Sequence, residues 1–196
     1  MKVFTSTSPP DLQRLPLTPI GKEWFGAPVH PPPLFGFGLD SDSFYFLAKH
    51  QHPATCHPDS RSGKFQAELW RFDVAEFFLT DPVSGHYLEF NLAPNGGWWS
   101  CQFSGPLQRC SEIDQPLPGV RTAAESSPTG WTASATVPRF WLEKNLHFGP
   151  DARLNATFIL YSPKQRFLTA SSLGEGDPAF HRPASFPPIT FAPNPA

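Results

Sequence analysis

Twenty-five prolines are spread along this chain of 196 residues. Proline fixes φ and lacks an amide hydrogen, so a chain punctuated this often has little room for long helices or wide central strands. Short strands joined by tight connections remain. One β-sandwich or barrel suits this length, whereas two domains would each bury only a small core. That core is easily filled. Hydrophobic residues make up 39% of the chain, with 19 Phe and 6 Trp, against 16% charged.

The charge balance removes two classes of partner. The net charge is −2 and no run of Lys or Arg occurs, so the basic footprint of a nucleic-acid binder is missing. No stretch approaches the ~20 apolar residues of a membrane span, so no membrane partner is expected. Between Met1 and Pro19, Lys2 is followed by no apolar run before Pro9 and Pro10, which does not read as a signal peptide. Cys56, Cys101 and Cys110 are odd in number and form no CxxC pair. They read as reduced thiols of a cytoplasmic protein rather than a disulfide framework.

Residues 1–33 form a Pro-rich segment ending in His30-Pro31-Pro32-Pro33, part of the same domain. Leu12 to Ile20 is its candidate edge strand, and residues 34–196 make the sandwich domain. Phe44–Lys49, Leu154–Tyr161, Phe167–Ala170 and Ile189–Phe191 read as strands. In Trp131–Val137, apolar and hydroxyl residues alternate with the period of a strand. Arg139–Leu146 after Pro138 predicts a short helix. Gly105–Pro128, rich in Pro and Ser, reads as a connecting stretch.

The informative block is Phe65–Phe103. Phe72–Leu79 and His86–Ala93 flank Thr80-Asp81-Pro82-Val83-Ser84-Gly85 and predict a hairpin. His86, Leu88, Phe90 and Leu92 share one apolar, core-facing side, and Tyr87, Glu89, Asn91 and Ala93 the other. Symmetric closure sets Leu79 against His86, Phe77 against Leu88 and Glu76 against Glu89. A two-residue Asn95-Gly96 turn sets Leu92 against Trp99, Phe90 against Cys101 and Leu88 against Phe103. The polar face then carries Glu76, Glu89 and Gln102 in one row, and Val74, Asn91 and Ser100 in the next.

Two carboxylates directly opposed at ~5 Å need a proton, a cation or a ligand hydroxyl between them. A groove binding hydroxyls and a face of solvated acids are the two readings of that row. Trp70 shares the parity of Glu76 if the strand runs extended between them. An aromatic ring beside polar groups is a common ligand-site element, although most Trp are core residues.

These segments resemble family 9 carbohydrate-binding modules and their bacterial DOMON-like relatives. Leu69, Trp70, Asp73, Glu76, Phe78 and Leu79 match an LW..D..E.FL strand. Tyr87, Glu89-Phe90-Asn91, Pro94, Gly96 and Trp98 match a YxEFNxSPxGxW strand and turn. Asp177 to Phe186, with Phe180-His181 and Pro183, match a closing pdFHxPxxF segment. The order agrees from about residue 40 to the end. The resemblance implies an all-β, antiparallel β-sandwich of jelly-roll type with minor helical turns. It also implies a non-catalytic role: holding a carbohydrate or similar polyhydroxylated small molecule on a concave sheet. By motif, Trp70 is one aromatic wall and Phe180 the other, where Trp is usual. Glu76 accepts from hydroxyls, Asn91 stands where Arg is frequent, and Asp177 falls near an amide contact. His181 either meets ligand or bridges backbone groups. No calcium ligands are recognisable, and no metal or cofactor is expected.

Two other chemistries compete. Retaining glycosidases hold two carboxyls ~5–5.5 Å apart, near the spacing expected for Glu76 and Glu89. Yet Arg71 stands where an ExDxxE hydrolase motif has its first acid. Some DOMON relatives bind haem through axial His or Met. Met1 is the only Met here, which leaves only His/His ligation. His50, His52 and His57 find no fourth ligand at zinc spacing and read as a polar loop.

Overall fold

The structure, a computed structural model, describes residues 1–195. In chain order the strands are β1 (Lys2–Thr5), β2 (Thr18–Pro19), β3 (Leu34–Leu39), β4 (Ser43–His50), β5 (Val74–Thr80), β6 (Tyr87–Leu92), β7 (Trp98–Gly105), β8 (Gln108–Arg109), β9 (Arg121–Ser127), β10 (Gly130–Pro138), β11 (Leu154–Leu160), β12 (Arg166–Thr169) and β13 (Thr190–Pro193). Helix α1 (Arg139–Leu146) follows β10, as the sequence predicts. One sheet runs β13-β1-β3-β4-β10-β9, with β2 also on β3, and the other runs β12-β11-β5-β6-β7-β8. Nearly all pairings are antiparallel; β1 is parallel to both β13 and β3. The two sheets pack face to face as a β-sandwich.

Strand periodicity places the core. In β10, Trp131, Ala133, Ala135 and Val137 are buried, and the hydroxyl residues between them are half-buried. Phe77 of β5 is fully buried at the centre. Its ring lies 5.0 Å from Phe90 in its own sheet and 5.4 Å from Phe44 and Phe46 in the facing one. In the second sheet, β5, β6 and β11 are buried on both faces. Val74, Phe78, Tyr87, Trp99 and Phe103, on its outer side, are covered by Leu173, Phe180 and Phe186, with Trp24 packed against them.

Polar anchors hold that cover down. Trp24 Nε1 donates to the Gly176 carbonyl at 2.7 Å. Arg182 donates to the carbonyls of Leu173 and Glu175 and lies over the Trp24 ring.

The structure departs from the sequence reading at identifiable turns. Leu12–Ile20 is not one edge strand. Leu12–Arg14 is a 3-10 turn capped by Asp11, and only the two residues of β2 pair with β3. The chain at Trp70 is not extended either, because Leu69–Arg71 makes another 3-10 turn and β5 starts at Val74. The first hairpin closes two residues away from the expected register, with Leu79 opposite Leu88, Phe77 opposite Phe90 and Glu76 opposite Asn91. The cause is Asp81. Its carboxylate accepts from Val83 N–H and Ser84 Oγ, winding Pro82–Gly85 into a loop that Asp81 and His86 close. A two-residue shift keeps every side chain on its face.

The second hairpin is displaced by one residue, which does change faces. Ala93-Pro94-Asn95-Gly96 forms a turn in which Gly96 N–H donates to the Ala93 carbonyl, and Ala93 N–H then bonds the Gly97 carbonyl. This is a three-residue loop with Pro94 where a type I turn favours proline and Gly96 at φ +82°. Consequently Trp98, Ser100 and Gln102 pair with the core-facing Leu92, Phe90 and Leu88. Trp99, Cys101 and Phe103 turn to the outer face instead of Ser100 and Gln102.

The sequence pattern also does not announce β1, β3 or β9. β9 lies inside the stretch read as a connection. β3 alternates Phe with Gly, and a Cβ at Gly36 would come within 2.8 Å of the Pro16 carbonyl oxygen. Glycine lets the N-terminal segment cross close over the strand.

Phe77 bridges the two sheets, so its truncation tests this packing. Phe77→Ala should lower the free energy of unfolding by about 3–5 kcal/mol, measured by chemical denaturation. A loss under about 1 kcal/mol would contradict the central position assigned to the ring.

Candidate functional site

The outer face of β5–β7 carries two acids among aromatic rings. Period-2 alternation sets Glu76 and Phe78 on that face, behind the core residue Phe77. On β6 it sets Tyr87, Glu89 and Asn91 there, behind Leu88 and Phe90. The closing segment and the turn between β7 and β8 leave part of this face uncovered. A cleft of about 370 Å³ results, lined by Trp70, Glu76, Phe78, Glu89, Trp99, Phe103, Leu107, Arg109, Ile159, Phe180 and His181. Clefts of ~300–1,000 Å³ commonly hold small ligands.

Five of the seven residues singled out from sequence meet here: Trp70, Glu76, Glu89, Phe180 and His181. Trp70 reaches the cleft from a 3-10 turn, not a strand, and is 45% exposed. Phe180 is only 8% exposed and is held by Trp24, Phe78 and Phe167 at ring separations of 6.1, 6.4 and 6.1 Å. Asn91 is fully buried beside the acids and does not line the cleft, and neither of its amide atoms has a hydrogen-bond partner in good geometry. Asp177 is exposed and outside the lining.

Glu76 and Glu89 share the face, but as diagonal neighbours. Asn91 is opposite Glu76, and Phe78 is opposite Glu89. Both carboxyls are almost completely buried. Burial pushes the Glu76 pKa well above the ordinary carboxylate range, and the nearby Glu89 pushes it further. The Thr157 hydroxyl, donating at 2.7 Å, pulls weakly the other way. Burial also raises Glu89. Asn91 and the Arg109 charge oppose that rise, and Asp114 adds to it. The Asn91 amide lies close enough to favour an ionised Glu89 without making a well-aligned bond.

His181 bridges the acids to the cleft rim. Tyr87 hydroxyl accepts from Leu107 N–H at 3.3 Å and lies 2.8 Å from His181 Nδ1, nearer than the 3.3 Å to the Gly105 carbonyl. On its other side, His181 Nε2 faces Glu89 Oε2 at 3.5 Å. Burial pushes His181 down to about 4. With the imidazole neutral, this contact is not an ion pair.

Trp99, Phe103, Leu107 and Arg109 were not anticipated as lining residues. The first two follow from the one-residue displacement in β7. Pro94 at the second turn position was the signal for it. Trp99 is pinned in place: its Nε1 donates to Asp114 at 2.9 Å, Arg109 donates to the same carboxylate, and the guanidinium lies 5.3 Å over the ring. Leu107 is 73% exposed and held at φ +59°, a region costly for a residue with a branched side chain. Asp73 of the DxxE pattern does not enter the cleft. It is buried, and its oxygens accept the amides of Thr55 and Ser162, tying two loops to the start of β5.

Comparison with known proteins finds no matching family model. The UPF0462 protein C4orf33 homolog of Mus musculus is 27% identical over 142 residues, spanning 68% of this chain and 69% of that protein. A proposed carbohydrate-binding protein from Bacteroides uniformis superposes with a TM-score of 0.73 at 16% identity, covering 98% of both chains. A family 9 carbohydrate-binding module from Caldicellulosiruptor kristjanssonii, solved with glucose, gives 0.63 at 13% identity over 98% of this chain and 95% of that one. The same organism's module with cellotriose gives 0.64 at 14% identity over 98% and 94%. At these identities the likeness is one of fold: along nearly its whole length, this chain has the β-sandwich of those modules.

Proposed function

We propose that this chain is a non-catalytic binding domain whose cleft takes a carbohydrate or a similar polyhydroxylated small molecule. The observation that carries the reading is the pair of nearly buried carboxyls, Glu76 and Glu89, set among the aromatic side chains of Trp70, Trp99, Phe103 and Phe180. A neutral carboxyl both donates and accepts, as a sugar hydroxyl does. Aromatic rings offer the apolar face of a sugar a large contact with few rotamers to freeze. The sugars held by structures of the same fold support this reading.

Hydrolysis fits the cleft less well. A retaining glycosidase needs one ionised carboxylate as nucleophile beside a protonated acid. Here Arg71, paired with Glu68, holds the first acid position of the ExDxxE motif, and Asp73, its second, accepts the amides of Thr55 and Ser162 outside the cleft. The two groups hold hydroxyls in this reading and attack nothing. Leu107, exposed at the rim, offers the ligand a further apolar contact.

Isothermal titration calorimetry with glucose and cellotriose, followed by a glycan array, tests the proposal. Trp70→Ala and Phe180→Ala should each weaken binding about tenfold or more. Trp70→Ala should leave the thermal midpoint nearly unchanged, because its ring is already half in water. Binding of no sugar on the array would sink the reading. Release of nitrophenol from an aryl glycoside, lost in Glu76→Gln, would make the chain a hydrolase instead.

The proton state of the acids gives a second test. Their folded-state pKa values lie above the unfolded ones, so the folded protein binds more protons once pH exceeds the ordinary carboxylate range. Stability from this source is full below that range and falls as pH rises through neutrality. Thermal midpoints should therefore decline from about pH 5 to about pH 8. Glu76→Gln, which keeps an acceptor for Thr157, should flatten the decline. An equal slope in both proteins would show that Glu76 is ionised throughout.

A further inference from the structure

Three of the four outer strand edges are short, and one carries proline. β13 and β12 have four residues each, β8 has two, and β13 contains Pro193. β9 is different. It has seven residues, Arg121–Ser127, with no proline, and it ends its sheet. Among the described residues, its backbone makes no backbone hydrogen bond except within the ladder to β10. An antiparallel strand bonds its neighbour through alternate residues, so the remaining N–H and C=O groups of β9 face outward. Such an edge is a template for another strand.

The residues along β9 specify which strand. Arg121, Ala123 and Glu125 share the face opposite Thr136, Ser134 and Thr132 of β10, and all three are exposed. Among the described residues, neither Arg121 nor Glu125 takes part in an ion pair. If β9 is laid antiparallel against a second β9 with Ala123 on the two-fold axis, Arg121 of each copy stands directly opposite Glu125 of the other. A shift of one or two residues either way separates these charges. Ala123 at the axis has no bulk to hold two strands beyond the ~4.8 Å of a sheet.

We propose that β9 is a self-association edge: two copies of this chain pair β9 to β9 in this register, joining two sheets into one continuous sheet. The interface is isologous, so one pairing closes it and uses up both β9 edges. β9 contributes no residue to the aromatic cleft, so the proposal stands independently of what that cleft binds.

Sedimentation velocity on the full chain over a concentration series at low salt tests it. The native chain should dimerise, and the dimer should weaken as salt screens the charges. Arg121→Glu alone and Glu125→Arg alone should each raise the dimer dissociation constant about tenfold or more. The double variant R121E/E125R should recover most of the loss. Mixing the two single variants should also give a heterodimer, because across the axis each then meets opposite charge. Circular dichroism checks that the exposed substitutions leave the fold intact. A native chain that stays monomeric throughout would overturn the proposal. So would a dimer indifferent to either reversal, or folded single variants that do not associate when mixed.

Discussion

The fold and the cleft both depend on burying β5 and β6 on two faces. Antiparallel sheets usually pack one face and leave the other to solvent. Here the inner face of these strands supplies Phe77, Leu88 and Phe90 to the sandwich core, and the outer face lies under residues 173–186. A strand alternates strictly, so Phe77 cannot be in the core unless Glu76 and Phe78 are on the other side. Covering that side is what strips water from Glu76 and Glu89 and drives them toward their neutral forms. Their altered acidity is thus chiefly a consequence of layering, with the proximity of Glu89 adding to the rise at Glu76.

Turn chemistry then decides which rings surround the acids. The Pro94–Gly96 loop is one residue longer than the shortest hairpin. That single residue exchanges Ser100 and Gln102 for Trp99 and Phe103 on the outer face. Asp81, by winding its own loop, sets Asn91 rather than Glu89 opposite Glu76 and so relieves direct opposition of like charges. The closing segment completes the wall, held by Arg182 and Trp24 rather than by strand pairing.

The two sheets of the sandwich divide the surface between them. The second sheet carries the cleft and ends in β8 and β12, too short to invite pairing. The first sheet carries no cleft residue and ends in the long, proline-free β9. The proposed small-molecule cleft and the proposed self-association edge therefore lie on different sheets, and a change in one does not have to disturb the other.

Much of this was legible in the sequence. Alternation in Trp131–Val137 and across Phe72–Ala93 determined the strands and which residues face the sandwich core, because a period of two sends alternate side chains to opposite faces. Pro138 before Arg139–Leu146 marked the helix. The three matching motifs brought together Trp70, Glu76, Glu89, Phe180 and His181, residues far apart in the chain. The sequence pattern did not reveal β1, which pairs with the distant β13, or β3, whose Phe and Gly alternate. It did not reveal β9 either, whose small polar residues mimic a loop. Nor could it decide the register of two hairpins, which turned on how Asp81 and Pro94 fold their loops. Only the tertiary structure decided that Asn91 lies beneath the site and Asp177 outside it, and that Trp99 belongs to it. Those outcomes depend on which surfaces the closing segment covers, and no local pattern encodes burial by a segment some eighty residues away.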